Sequence, residues 1–224
     1  MLRTTKQTEG TLIGKQEQCY ATIRQRIVSG IYGPGHRLVL GDLADELKMS
    51  SVPVREAIRR LEAEGLVTYR RNVGAQVTPL TQELLRNLMQ AQAVLESSAT
   101  ALAAPLMTDR TIIHLRRING AIEGALQQLD FRGYMNYNVQ FHQAIVDTCP
   151  NTYLKELCRT TIERIHALSG LMASGFPDRA REAFQEHEKL ITLIKEKARP
   201  ETIERFARSH IERTFERFFR NRSS

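Results

Sequence analysis

Three histidines are the residues of this 224-residue chain best placed to do chemistry. His142 has Val139, Ile145 and Val146 beside it at helical spacing, and Asn138 lies one turn earlier on the same inward face. His187 shares a face with Phe184, Leu190, Ile191 and Ile194, and His210 with Ile203, Phe206 and Ala207. One histidine on an apolar stripe is more often a hydrogen-bonded core residue than a ligand. Three on three different helices shift that balance, because facing side chains in a bundle core build metal sites. Imidazole nitrogens suit Zn, Ni, Cu or Fe. The pattern alone leaves both readings open. Hydrolysis at such a metal would also need a general base near an open coordination position. No His-Glu-x-x-His run supplies one, since Glu188 follows His187 but position 191 is Ile191.

A second group of residues has the spacing for nucleic acid. Leu43, Ala44 and Leu47 mark one face of a short helix, and Lys48-Met49-Ser50 reads as a turn. Val54, Ala57, Ile58 and Leu61 then form the apolar stripe of a second helix. Ser50 or Ser51 can cap it, Pro53 is tolerated in its first turn, and Gly65 suits its end. Two helices with so short a turn predict a helix-turn-helix. Val52, Arg55, Arg59 and Glu62 lie off the stripe, with Arg55 and Arg59 four apart on one exposed face that can reach a major groove. Leu66–Arg70 and Ala75–Thr78 read as a hairpin with Arg70 and Arg71 near its tip. A basic hairpin after a helix-turn-helix is a wing, placed near the DNA backbone or minor groove.

The remaining elements must position these groups. Residues 1–15 read as a flexible tail and Gln16–Ser29 as a first helix, with Tyr20, Ile23, Ile27 and Val28 on one face. Gly30, Gly33, Pro34 and Gly35 form a loop. Thr78–Thr81 is the expected domain boundary. From Glu83 on no segment is strand-like. Helices are expected over Glu83–Leu106, Asp109–Leu129, Tyr134–Asp147, Asn151–Ala173, Pro177–Lys197 and Pro200–Arg220, with breaks at Gly133 and Pro150 and a loop at Gly175–Asp178. The fold class is therefore mainly α: a winged helix-turn-helix over 16–79, then an all-α antiparallel bundle over 80–222.

Composition agrees with an anionic partner. The formal net charge is +7 and the pI about 9.6. Residues 1–79 hold 12 of the 32 Lys+Arg and 8 of the 25 Asp+Glu, so the excess is denser in the first third. Cys19, Cys149 and Cys158 have no metal-type spacing and read as reduced thiols. There is no signal-peptide pattern and no run of about 20 apolar residues, so a cytoplasmic protein without a membrane segment is expected.

The run Gly30–Leu38, then Leu43-Ala44, then Pro53–Val67 resembles the amino-terminal domain of GntR-type bacterial transcription regulators over about residues 16–79. Residues 82–220 resemble the ligand-sensing domain of the FadR-like (FCD) branch of that family. The motifs there are Leu95-Glu96 with Ala103-Ala104, Phe141-His142-x-Ala144-Ile145, Asn151-x-x-Leu154, and Glu186-His187-x-x-Leu190-Ile191.

The resemblance implies a ligand-responsive regulator, a repressor acting as a homodimer on a pseudo-palindromic double-stranded DNA operator. DNA contacts are expected from Ser50, Ser51, Val52, Arg55, Arg59, Arg71 and Gly74. Arg55 matches a DNA-contacting arginine of the family, but Ser51-Val52 stand where the family usually has Arg-Thr. Many such sensors hold a divalent metal, here Zn or Ni, through one Asp and three His. The histidines match His142, His187 and His210, while the Asp falls on Asn138, a weaker neutral ligand. An organic-acid effector beside the metal would lie near Asn138 and Gln92, the latter replacing an arginine that often clamps carboxylates. His36, His114 and His166 match no family role. Two other classes compete: a metal-dependent enzyme using the three histidines, which leaves the winged helix without a purpose, and an architectural DNA-binding protein, which leaves the histidines without one.

Overall fold

The computed structural model describes the backbone of residues 4–169 and 177–220, in two units: the chain divides between Leu80 and Thr81, and Ala167–Ser169 group with the first unit. In the first unit, helix α1 spans Thr4–Val28. It starts at Thr4 rather than Gln16, so the stretch read as a tail is helical backbone from there on. Thr4–Lys15 carries no apolar stripe, so periodicity gives no signal. Once a helix exists, however, each added residue gains a backbone hydrogen bond without a new nucleus. The buried face of α1 is Cys19, Ile23 and Ile27, with Tyr20 at its edge. The Arg60 guanidinium sits 3.6 Å from the Tyr20 ring centroid, and the Tyr20 hydroxyl donates to Glu64 at 2.8 Å.

Helix α2 (Leu40–Leu47) ends on Lys48, whose φ of 52° turns the chain into helix α3 (Ser51–Ala63). Ser50 occupies the cap position of α3, but its hydroxyl makes no capping hydrogen bond, and Ser51 is already helical. The capping role expected for this pair is therefore not used. Gly65 stops α3 with a φ of 70°. Strands β1 (Val67–Arg70) and β2 (Gly74–Val77) pair antiparallel, with Val67 opposite Val77 and Arg70 opposite Gly74. Asn72 and Gly74 take the positive φ values that the tip requires.

The second unit is helical throughout its described residues. Helix α4 spans Gln82–Ala103 and continues as a 3₁₀ turn over Ala104–Leu106. It is followed by α5 (Asp109–Gln127), α6 (Phe131–Val146), α7 (Thr152–Ser169), α8 (Pro177–Lys195) and α9 (Pro200–Arg220). Thr81 and Thr108 cap α4 and α5 through their hydroxyls. The expected end of α7 at 170–173 and the start of the expected loop at Gly175 lie outside the described residues. Pro177 and Asp178 belong to α8 rather than to that loop.

Helix α6 begins at Phe131, ahead of the break expected at Gly133. The Asp130 carboxylate caps α6 by accepting from the Gly133 N–H at 2.9 Å. A Cβ at position 133 would stand 2.2 Å from that carboxylate. The glycine that looks like a helix breaker is thus the residue that admits the cap. The main core gathers Ile112, Leu115, Ile118 and Ile122 of α5 with Phe141 and Ile145 of α6, Leu190, Ile191 and Ile194 of α8, and Ile203 of α9. Burial of each such side chain contributes about 1.5–3 kcal/mol. Helix α4 packs along α9, and α5 lies against both α6 and α8. The three histidines therefore come from helices that the core locks together.

Candidate functional site

On the first unit, α3 buries Pro53, Val54, Ala57, Ile58 and Leu61 and leaves Ser51, Val52, Arg55, Arg59 and Glu62 exposed. Val52 is 50% exposed although apolar, which the fold of the isolated unit does not require. Arg59 pairs with Glu56 at 3.2 Å. Arg60, one residue on, is turned away to bond Glu17 at 2.8 Å and so ties α3 to α1. Arg55 makes no ion pair among the described residues. In the wing, Arg70 and Arg71 are exposed beside Asn72. Arg37 donates to the Val73 carbonyl at 3.1 Å and bridges to Gln76, holding the tip in place. That support was not expected: the link joins residues 36 apart, and only the folded unit shows it.

In the second unit, His142, His187 and His210 converge and all three are buried. Each offers a ring nitrogen within 4.8 Å of those of the other two. Their ring centroids lie 5.3, 5.3 and 4.9 Å apart. The Phe141 ring stacks on His187 at 3.9 Å and fixes its plane.

What the outer nitrogens do decides the chemistry. His142 Nδ1 contacts the Glu96 carboxylate, and His210 Nδ1 lies 2.5 Å from Glu186 Oε2. An ionised carboxylate only accepts, so both Nδ1 atoms carry the proton. His187 Nδ1 is 3.1 Å from Asn119 Oδ1. The Asn119 amide nitrogen donates to Glu188 at 2.7 Å and to the Phe184 carbonyl at 3.2 Å, which leaves its oxygen to accept from His187. In each ring the Nδ1 proton faces an acceptor, which leaves Nε2 as the nitrogen available to a ligand. His187 Nε2 is buried and has no hydrogen-bond partner among the described residues. An orphaned acceptor of this kind costs about 1–3 kcal/mol unless something fills it.

The protonation states agree. Burial, then His210, His142 and Arg179, push the His187 pKa well below the ordinary imidazole value. Burial brings His210 down to about 4 against the opposing pull of Glu186. Burial pushes Glu96 up, but His142, Gln92 and His210 outweigh it, and its pKa ends lowered. Burial likewise raises Glu186, and His210 with Arg179 bring it to about 2. His187 and His210 are thus neutral, and both carboxylates ionised, at neutral pH. Neutral imidazoles at His187 and His210, with His142 beside them and an outer carboxylate or amide acceptor on each ring, suit a divalent metal. Zn–N bonds of ~2.0–2.1 Å put tetrahedral ligand atoms ~3.3 Å apart, within reach of small rotations of these rings.

Asn138 lies one turn before His142 on α6 and is half-buried. Gln92, expected beside an effector, donates its amide N–H to Glu96 Oε2 at 2.8 Å and so braces His142 through Glu96. A buried cation stands elsewhere in the same shell. Arg179, only 4% exposed, donates to Glu186 at 2.6 Å, to the His210 carbonyl at 3.0 Å and to Thr214. Sequence reasoning missed Glu96, Asn119, Arg179 and Glu186 as partners of the histidines. The available signal was Asn119 itself, a polar residue in the apolar stripe Ile112-Leu115-Ile118-Ile122.

Comparison with known proteins places both units. Residues 15–77 match the family model described as bacterial regulatory proteins, gntR family, and residues 87–213 match the FCD domain. The chain is 30% identical over 196 residues to the Nta operon transcriptional regulator of Aminobacter aminovorans, across 84% of this chain and 87% of that protein. It is 27% identical over 181 residues to the uncharacterized HTH-type transcriptional regulator YdhC of Bacillus subtilis, across 80% of each. The solved structure of E. coli McbR/YncC superposes with a TM-score of 0.78 at 22% identity, covering 92% of this chain and 98% of that one, and so shares its fold.

Proposed function

Since the chain belongs to the GntR family of bacterial regulators and carries an FCD domain behind its winged helix, we propose that it represses transcription as a homodimer on a pseudo-palindromic operator, with an organic acid as its effector. In this reading His142, His187 and His210 hold a divalent metal, Zn or Ni, with Asn138 as a weak fourth ligand. The metal supplies a Lewis-acidic anchor for effector oxygens. The observation that carries the reading is the orphaned, buried His187 Nε2 beside two further inward imidazoles.

Charge favours an anionic effector. Around the histidines, Glu186 pairs with Arg179 and Arg213, Arg179 also pairs with Glu182, Glu96 contacts His142, and Glu188 accepts from Asn119. A dication beside neutral Asn138 keeps one more positive charge than it would beside an aspartate at that position. Effector binding then biases the geometry of two DNA-binding units between states of different operator affinity. The metalloenzyme alternative is set aside, because the matched families and relatives are transcription regulators. Glu188, the nearest candidate base in sequence, is also bound to Asn119.

The test is a titration of small organic acids against the protein–operator complex, with metal present and after chelation. Metal-dependent release of DNA by one acid supports the reading. DNA binding indifferent to every acid and to metal would discard it. Asn138→Asp should tighten the metal and weaken the anionic effector, because it adds a negative charge beside the ion. An unchanged effector affinity in the loaded variant would refute that charge argument.

On the DNA side, Ser50, Ser51, Val52, Arg55, Arg59, Arg71 and Gly74 are assigned to the interface. Ser51-Val52 in place of the family's Arg-Thr should give this protein its own half-site. Selection from random DNA should return a site unlike the common family one, and Ser51→Arg with Val52→Thr should restore affinity for the family site by about tenfold or more. Recovery of the common site by the unaltered protein would end the idea.

A further inference from the structure

At the end of the bundle away from the histidines, a cavity of about 410 Å³ opens between the 3₁₀ turn, the start of α5, the end of α8 and the start of α9. Its floor includes Ile112, Ile194 and Ile203, all of them core residues. Each lies seven residues from a residue of the histidine cluster on the same helix: Asn119, His187 and His210. Seven residues are about two turns, or ~10 Å, so the floor is the next layer of the same three helix faces. The mouth carries Lys195, Lys197 and Arg199, none of which makes an ion pair among the described residues.

Helix stability explains part of this charge. Cations near the C-terminus of α8 complement its dipole, which accounts for Lys195 and Lys197, and Asp109 suits the start of α5. Arg199 is the reverse case. It stands immediately before Pro200, at the N-terminus of α9, where a cation is disfavoured. It is held there without a carboxylate partner, at the rim of an apolar cavity. Asp109 is the one acidic side chain in the lining, against three basic ones.

We propose that this cavity is a second ligand site, which takes a small organic carboxylate whose apolar body rests on the three isoleucines while its charge meets Lys195, Lys197 and Arg199. Cavities of ~300–1,000 Å³ with apolar walls and a few convergent polar groups are the usual form of small-molecule sites. The assignment goes beyond the metal-centred reading and does not depend on it.

The probe is 4-phenylbutyrate, with 4-phenylbutan-1-ol as the uncharged control, titrated calorimetrically into the full-length protein. The acid should bind saturably and more tightly than the alcohol. Lys195→Gln with Arg199→Gln removes two exposed charges without touching the core and should weaken the acid about tenfold while leaving the alcohol unchanged. Ala198→Leu, which adds bulk to the lining, should weaken both. Chelation should leave the acid's affinity as it was. The proposal is overturned by an absence of saturable binding, by equal affinity for acid and alcohol, or by binding indifferent to the two Gln substitutions. Loss of binding on chelation overturns it too, by moving the anion to the histidines. Failure of the metal reading alone, seen as a metal-free protein, leaves these four expectations standing.

Discussion

Replacing His187 with alanine should abolish metal uptake by the bundle. Protein purified without chelator or affinity tag should carry close to one equivalent of Zn or Ni, and the variant none. His187 is fully buried, and its Nε2 has no hydrogen-bond partner among the described residues. Removing the ring takes away one of three strong ligands and also leaves a cavity against Phe141, so lost metal alone could reflect a loosened core. Asn119→Leu separates the two causes. It keeps the ring but removes the acceptor that fixes the Nδ1–H tautomer. Loss of the acceptor behind a ligating imidazole weakens metal binding about 10–100-fold. Asn119→Asp retains an acceptor and should bind metal more tightly than Asn119→Leu. A wild-type protein that contains no metal, and takes up none on dialysis against Zn or Ni, would reduce the cluster to three core histidines.

The convergence of the three histidines was legible and its support was not, for a physical reason. His142, His187 and His210 each sit on an apolar stripe, and helical periodicity alone turns them inward. Their convergence follows once six helices must share a core. Glu96, Glu186 and Asn119 act through contacts between residues 46, 24 and 68 positions apart, and no local pattern encodes those separations. Arg179 is harder still. It lies in the first turn of α8 beside acidic residues, where an exposed cation would look the same in sequence.

Element boundaries divide in a similar way. The helix-turn-helix was readable because its stripe, its turn and Gly65 agree with one another. Residues 4–15 were misread because a helix without an apolar face leaves no periodic trace. Gly133 misled because its lack of a side chain serves the Asp130 cap rather than a break. Ser50 misled in the opposite sense, being a favourable cap residue at the cap position with its hydroxyl unused. A hydroxyl free of its own helix is available to another partner, which accords with its assignment to the DNA interface.

Arg55→Ala should weaken specific operator binding by about 1–3 kcal/mol, or roughly fivefold to more than a hundredfold, without disturbing the fold. The side chain lies on the exposed face of α3 and makes no ion pair among the described residues, so its removal breaks none there. Arg59, one turn on, must first part from Glu56, and that exchange offsets some of what a phosphate contact would gain. Arg59→Ala should therefore weaken binding less than Arg55→Ala. Arg71, at the tip that Arg37 braces, is assigned to the DNA backbone in the proposed reading. Its loss should weaken binding uniformly across sequences and lower the salt slope by about one. Fluorescence anisotropy with the selected operator at fixed salt, repeated with scrambled DNA, separates the three. Equal loss on operator and scrambled DNA would reassign Arg55 to the phosphates. Unchanged operator affinity would remove it from the interface.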